Sequence, residues 1–172
     1  MVGDPVGIMM DTSQFGGKTA EDYLASQPEL VTNGDGSSAT GWDGARSNET
    51  VTSTGGRIRA TATAAGAYGA VQTLSGLTVG EWYVTSAEVF TAGGSGTFYF
   101  RLTANSDLTG TTPVEKTRTT DFAPNLFFQA SATTMYVGVI NVAAAGGDYA
   151  ELDNISVIAL SLIHISEPTR PY

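Results

Sequence analysis

The 172-residue chain contains no cysteine. Disulfides, thiolate metal sites and a cysteine nucleophile are therefore excluded. Imidazole is nearly as scarce: the one histidine is His164, close to the C-terminus. Without it there is no Ser-His-Asp triad, no histidine zinc site and no histidine general base. Charged residues make up only 15 % of the chain, too few for a core assembled from long amphipathic helices. Basic residues are the rarer sign, 8 against 17 acidic, for a net charge of -9. Such a surface repels phosphate backbones and anionic lipid, so neither nucleic acid nor membrane is an expected partner. No apolar run approaches the ~20 residues of a membrane-spanning helix. No basic region followed by an apolar one opens the chain, so no secretory signal peptide is expected.

Hydrophobic residues at 41 % and 21 glycines, with abundant Thr, Ser and Ala, suit strands and turns instead. Short runs alternate β-branched or aromatic residues with small polar ones, so that each strand buries one face and wets the other. Strands are expected near 30–33, 48–54, 56–63, 67–74, 81–91, 96–104, 125–131, 133–141 and 148–158, with 105–124 as the longest irregular stretch. Gly93-Gly94-Ser95-Gly96 reads as a hairpin tip. Parity in 81–91 sets Tyr83, Thr85, Ala87 and Val89 against Trp82, Val84, Ser86, Glu88 and Phe90; in 96–104 it sets Phe98, Phe100 and Leu102 against Tyr99, Arg101 and Thr103. Leu152 and Ile155 both look core-facing but are three apart, so a β-bulge at Asp153-Asn154 is expected. The fold class is all-β: a two-sheet antiparallel sandwich over residues 29–159. An N-terminal extension, residues 1–28, carries one short helix over 20–26, capped by Thr19 with Asp22 three residues on.

Past residue 159 the text changes character. Leu160-Ser161-Leu162-Ile163-His164-Ile165-Ser166-Glu167-Pro168-Thr169-Arg170 resembles one translated frame of a transposase adapter used in preparing sequencing libraries. That resemblance implies an assembled environmental read, with residues 160–172 a non-native tail that takes His164 out of the chemistry.

Val31-Thr32-Asn33-Gly34-Asp35, Gly41-Trp42, Val71-Gln72, Thr78-Val79-Gly80-Glu81-Trp82-Tyr83 and Leu152-Asp153-Asn154-Ile155-Ser156-Val157 together resemble the jelly-roll carbohydrate-binding modules appended to xylanases and glucanases. The resemblance covers about residues 30–158. Val2-Gly3-Asp4-Pro5-Val6-Gly7-Ile8-Met9-Met10-Asp11 resembles stretches of phage virion proteins that precede such domains. The carbohydrate-binding-module resemblance implies a jelly roll of nine or ten strands, with Trp42 and Tyr83 in the core. It also implies a structural Ca2+ where the first and last strands meet, and a glycan groove on the concave sheet. Asn33, Asp35 and Asp153 fall at the matching places for the ion. Gly36 stands where the family has an aromatic residue, and the alternative reading is a turn in which Asp35 caps its own backbone.

A glycan site needs an aromatic plate for the sugar's C–H face and polar planar side chains for its hydroxyls. Trp82, Tyr99, Arg101, Glu88 and Gln72 form such a set if their strands are neighbours; packing beneath a loop is the competing role for Trp82. Tyr68, Tyr136 and Tyr149 read as strand-surface or edge residues. Asn33-Gly34-Asp35-Gly36-Ser37 is no EF-hand, since its twelfth position would be Gly44 rather than Glu. Carboxylate pairs for glycoside hydrolysis are scattered. The expected function is thus non-enzymatic: glycan binding or adhesion in a phage virion or extracellular protein, with polysaccharide, cell-surface glycan or neighbouring virion subunits as partners. The alternatives are a purely structural virion decoration and a polysaccharide-binding module cut from a secreted glycoside hydrolase.

Overall fold

The computed structural model of the protein describes residues 26–91, 93–109 and 114–160. Residues 20–25 of the expected helix and all of the adapter-like tail but Leu160 lie outside these residues; Ser26 is in a turn. Ten strands are formed: β1 Trp42–Gly44, β2 Glu49–Thr54, β3 Arg57–Ala62, β4 Gly66–Ser75, β5 Trp82–Phe90, β6 Phe98–Thr103, β7 Val114–Arg118, β8 Asn125–Gln129, β9 Thr134–Ala144 and β10 Tyr149–Leu160. They make two five-stranded antiparallel sheets, ordered β1-β4-β9-β6-β7 and β2-β3-β10-β5-β8.

Period-two alternation builds the layer between them. Ile58, Ala60 and Ala62 from β3, Tyr83, Ala87 and Val89 from β5, and Leu152, Ile155 and Val157 from β10 face Ala70 and Leu74 of β4, Phe98, Phe100 and Leu102 of β6, and Val137 and Val139 of β9. Each fully buried Phe or Leu removes enough apolar surface from water to contribute about 1.5–3 kcal/mol. Trp42 and Tyr83 belong to this core, and Tyr83 stacks on Phe128 with ring centroids 5.3 Å apart. Tyr68, expected at the surface, is fully buried.

Four local expectations are revised. Residues 30–33 form no strand: Glu29 makes one bridge to Ile158, and then Asn33, at φ 52°, turns the chain. Asn is one of the few side chains that tolerates this left-handed region. Trp42–Gly44 and Val114–Arg118 are strands at the two edges of one sheet. The first is too short to show a period, and the second shows almost none, because Val114 is its single apolar residue. Finally, the glycine-rich 93–96 segment is no hairpin tip, because β5 and β6 lie in different sheets. The segment runs close to aromatic rings: a Cβ on Gly93 would lie 2.1 Å from the Tyr149 ring and one on Gly94 2.8 Å from the Phe98 ring.

The first and last parts of the described chain are joined as the opening and closing segments suggested. The Leu30 N–H donates to the Val157 carbonyl (3.0 Å) and the Ile155 N–H to the Gly34 carbonyl (2.9 Å). The register of β10 against β5 shifts between Asp153 and Ser156, and Asn154 there has φ 50°. This irregularity is what lets Leu152 and Ile155, three apart, both enter the core.

Candidate functional site

The sheet order divides the five residues of the expected glycan set. Trp82 and Glu88 stand on β5, whereas Gln72, Tyr99 and Arg101 stand on β4 and β6 of the other sheet. Trp82 and Glu88 point to one outer face and Tyr99 and Arg101 to the opposite one, with the core between them. Gln72 is buried: its amide oxygen accepts from the Thr32 N–H (2.6 Å) and its amide nitrogen donates to the Thr32 carbonyl (2.8 Å), tying the opening turn to β4. On the β5 face Glu88 lies directly opposite Asp153 on β10. Only Tyr99 and Arg101 meet, the guanidinium carbon 4.4 Å from the ring centroid.

The three expected metal donors are each engaged close to home. Asp35 Oδ1 accepts from the Ser37 N–H (3.1 Å) and hydroxyl (2.7 Å). Asn33 Nδ2 donates to the Thr40 carbonyl (2.9 Å), and Asp153 Oδ1 accepts from the Asn154 N–H (2.8 Å). Calcium needs six to eight oxygens converging at one point. Among the described residues no group of three or more His, Cys, Asp or Glu side chains is placed to hold a metal ion. Asp35, Asn33 and Asp153 are thus each held by a hydrogen bond within their own turn.

The feature that does gather polar groups around an aromatic ring is built by the loop after β6. Residues 104–109 fold back over the outer face of the β1-β4-β9-β6-β7 sheet, and Leu108 is wholly buried there in a second apolar cluster with Ala45, Val71 and Ile140, flanked by Tyr99 and Tyr136. Leu108 adopts φ 54°, which for a residue with a Cβ costs about 1–2 kcal/mol. Burying its side chain is worth about 1.5–3 kcal/mol, and the Arg101 Nη1 donates to its carbonyl at 2.9 Å. The balance favours the buried loop.

Further bonds fix its shape. The Leu108 N–H donates to the Asn105 carbonyl (3.0 Å). The Thr103 hydroxyl and the Asn105 amide both donate to the Thr109 carbonyl, at 3.1 and 2.9 Å. Asp107 Oδ1 caps Thr109 through its N–H (3.0 Å) and hydroxyl (2.5 Å). Asp107 Oδ2 reaches across to Arg46 Nη1 at 3.3 Å, beyond β1. Arg101 in turn pairs with Glu115 Oε2 at 2.6 Å. These contacts leave an open depression of about 460 Å³ lined by Ala104, Asn105, Ser106, Asp107, Thr109 and Tyr136. It offers one aromatic ring, an amide, two hydroxyls and a carboxylate held ionised. That is donor and acceptor chemistry suited to a sugar's hydroxyls, with Tyr136 forming part of a mostly polar wall.

Sequence reasoning placed Tyr136 at a strand surface but did not join it to a site. The signal for that placement was available: Met135, Val137 and Val139 are core residues on β9, so parity alone turns Tyr136 to the outside. That the 104–109 loop would lie beside it is a matter of topology and leaves no mark in the sequence.

The carboxylates set the acid response. The Thr109 hydroxyl and then its N–H hold Asp107 below the usual carboxylate range. Asp35 is lowered by the Ser37 hydroxyl and N–H, and Asp148 by the N–H groups of Ala145 and Ser95 and then the Ser95 hydroxyl. A depressed folded-state pKa contributes stability that is present above the unfolded value, about 3.9 for Asp, and is lost as pH falls through the folded value. Burial raises Glu49 instead, so its contribution has the opposite sign, favouring the fold at low pH and fading as pH rises past its folded value. With three aspartates against one glutamate, the unfolding midpoint is expected to fall as pH drops below about 4. A midpoint that rises on acidification would contradict these assignments, and denaturant titrations across the acid range decide it.

Neither a protein-family model nor any curated protein matches the sequence. The fold is shared with solved structures. A Stig cyclase from Fischerella sp. TAU aligns with TM-score 0.56 and 12 % identity, over 78 % of this chain and 98 % of that one. A family 4 carbohydrate-binding module aligns with TM-score 0.54 and 12 % identity, over 77 % and 95 %. The enzymatically active domain of tailspike protein 4 of bacteriophage CBA120 aligns with TM-score 0.53 and 15 % identity, over 77 % of this chain and 21 % of the tailspike chain. At such identities the likeness establishes the jelly-roll sandwich, which serves binding modules and enzymes alike.

Proposed function

We propose that the protein is a non-catalytic glycan-binding module, and that the depression between the 104–109 loop and Tyr136 receives a sugar unit. The observation that carries this reading is the pairing of the half-buried Tyr136 ring with Asn105, Ser106, Asp107 and Thr109 on a rigid sheet. A family 4 carbohydrate-binding module shares the sandwich over most of its length, which supports the class of ligand. The tyrosine ring stacks on the C–H face of a pyranose, while the Asp107 carboxylate and the Asn105 and Ser106 side chains take its hydroxyls. Arg46 and Arg101 hold the loop and leave the sugar to the groups named. Display on a phage virion or another extracellular surface is the setting that fits an acidic adhesion module, and the resemblance of residues 2–11 to virion proteins supports it.

A glycan array with the full chain identifies the ligand, and native affinity gels containing that glycan then test the site. Tyr136→Ala is expected to abolish retention, whereas Trp82→Ala, on the opposite outer face, leaves it unchanged. Loss of retention in Trp82→Ala with full retention in Tyr136→Ala would place the site on the wrong sheet.

A further inference from the structure

Among the described residues the two sheets end in four strand edges with no further strand beside them, those of β1, β7, β2 and β8. Two are guarded against pairing with another chain. β1 is only three residues long, and β7 carries Glu115, Lys116 and Arg118, both ordinary defences of an edge. β2 is open but polar: Thr50, Thr52 and Thr54 share its outer face, in register with Thr61, Arg59 and Arg57 of β3, so pairing there would bury little apolar surface. β8 has no such defence. Its five residues, Asn125 to Gln129, include no charge, and Phe127 is 58 % exposed. Its neighbours on the outer face of the sheet are Trp82, Val84 and Ser86 of β5, which are uncharged too. Along the chain nothing charged lies between Asp121 and Asp148.

Register decides which backbone groups of β8 are free. The Ala87 N–H donates to the Pro124 carbonyl (3.1 Å), and the Ala130 N–H to the Glu81 carbonyl (3.0 Å). An antiparallel ladder bonds every second residue, so Leu126 and Phe128 spend their N–H and C=O groups on β5. Those of Asn125, Phe127 and Gln129 point to the open edge. Pro124, a residue type that blocks edges, falls on the β5 side of this alternation and leaves the edge open. A row of free donors and acceptors is a template for one more antiparallel strand.

The residues around Phe127 suit a second copy of themselves. Turned about a two-fold axis at Phe127, an antiparallel copy of β8 sets Phe127 opposite Phe127 and Asn125 opposite Gln129. Ring meets ring and amide meets amide, and each free N–H meets a carbonyl. No carboxylate faces another. That matters for a chain of net charge -9, whose copies repel over most of their surface.

We infer that β8 is a dimerisation edge: two copies of the chain pair through it, antiparallel and centred on Phe127, and their two five-stranded sheets become one. Side chains directly opposite in an antiparallel pair share a face, so equivalent faces of the two copies lie on the same side of the joined sheet. Both Tyr136 depressions then face one way, and a dimer holds two sugar units of one surface at once. That consequence rests on the proposed function; the pairing itself does not.

Sedimentation of the full chain over a range of concentrations reads the pairing, and amide hydrogen exchange locates it. Mass is expected to rise from one chain towards two, with exchange at Asn125, Phe127 and Gln129 slowing in step. Leu126 and Phe128, already bonded to β5, are expected to exchange slowly at every concentration. Phe127→Glu sets two carboxylates face to face at the axis and is expected to raise the dimer dissociation constant about tenfold or more. Because Phe127 is exposed, the variant is expected to keep the fold, read as unchanged protection of Leu126 and Phe128. A chain that stays single at every concentration would overturn the proposal and leave the edge to a strand of another protein. So would a dimer whose Phe127 amide exchanges as fast as in the monomer, or one that Phe127→Glu does not weaken. Glycan retention by Tyr136→Ala is measured separately, so failure of the pairing and failure of the glycan site are told apart.

Discussion

Gly138→Val is expected to cost about 3–5 kcal/mol of stability, at the upper end of single-substitution effects, or to prevent folding altogether. Gly138 lies at the middle of the sheet, paired with Val71 on β4 and with Arg101 on β6. A Cβ there would sit 2.0 Å from the Ala70 carbonyl oxygen, and one on neighbouring Gly69 2.1 Å from that of Val139. The atoms in the way are backbone, so no rotamer change relieves the clash, and moving either strand breaks ladder hydrogen bonds. Gly146→Ala is the matched control. The nearest atom to its Cβ would be 3.7 Å away, and the change is expected to stay within about 0.5 kcal/mol. Denaturant midpoints of the two variants make the comparison; a Gly138→Val protein as stable as the parent would mean that β4 and β9 do not approach as described.

Leu108→Ala is expected to lower stability by about 2–5 kcal/mol, the usual cost of emptying a buried leucine site, and to abolish glycan retention as fully as Tyr136→Ala. The second effect is the more informative. Leu108 does not line the depression, but its side chain is the anchor that holds Asn105, Ser106, Asp107 and Thr109 beside Tyr136. Once it is truncated, the favourable burial no longer offsets the left-handed backbone, and the loop is released. Leu108→Met conserves volume, should cost less than about 1.5 kcal/mol, and should restore retention. An alanine variant that binds glycan normally would show that the loop contributes nothing to the site.

The sequence was most legible where apolar alternation was long. The runs that became β3, β4, β5, β6, β9 and β10 announced themselves, as did the bulge at Asp153-Asn154, because the core spacing of Leu152 and Ile155 admits few other solutions. It was least legible at the edges. Val114–Arg118 carries Glu115, Lys116 and Arg118, the charged composition that protects an edge strand from pairing with another chain, and charge erased the periodicity that would have revealed it. Local pattern also says nothing about which sheet a strand joins. Trp82 and Tyr99 follow one another along the chain with a glycine-rich turn between, and a hairpin was the natural reading. The jelly-roll connection instead carries the chain from one sheet to the other, so the expected binding set separated onto two outer faces. Exposure of Tyr136 was readable from parity; its company with Asn105 and Asp107 depends on a loop crossing the sheet, which only the folded chain displays.

Titrating isotope-enriched protein with the array-selected oligosaccharide, and following amide and side-chain resonances, bears most directly on whether this sandwich is a glycan-binding module. Shifts concentrated at Asn105, Ser106, Asp107, Thr109 and Tyr136, saturating with ligand and leaving Trp82 and Phe127 unmoved, are the expected result. Shifts centred on the Trp82 face, or none with any oligosaccharide offered, would contradict it.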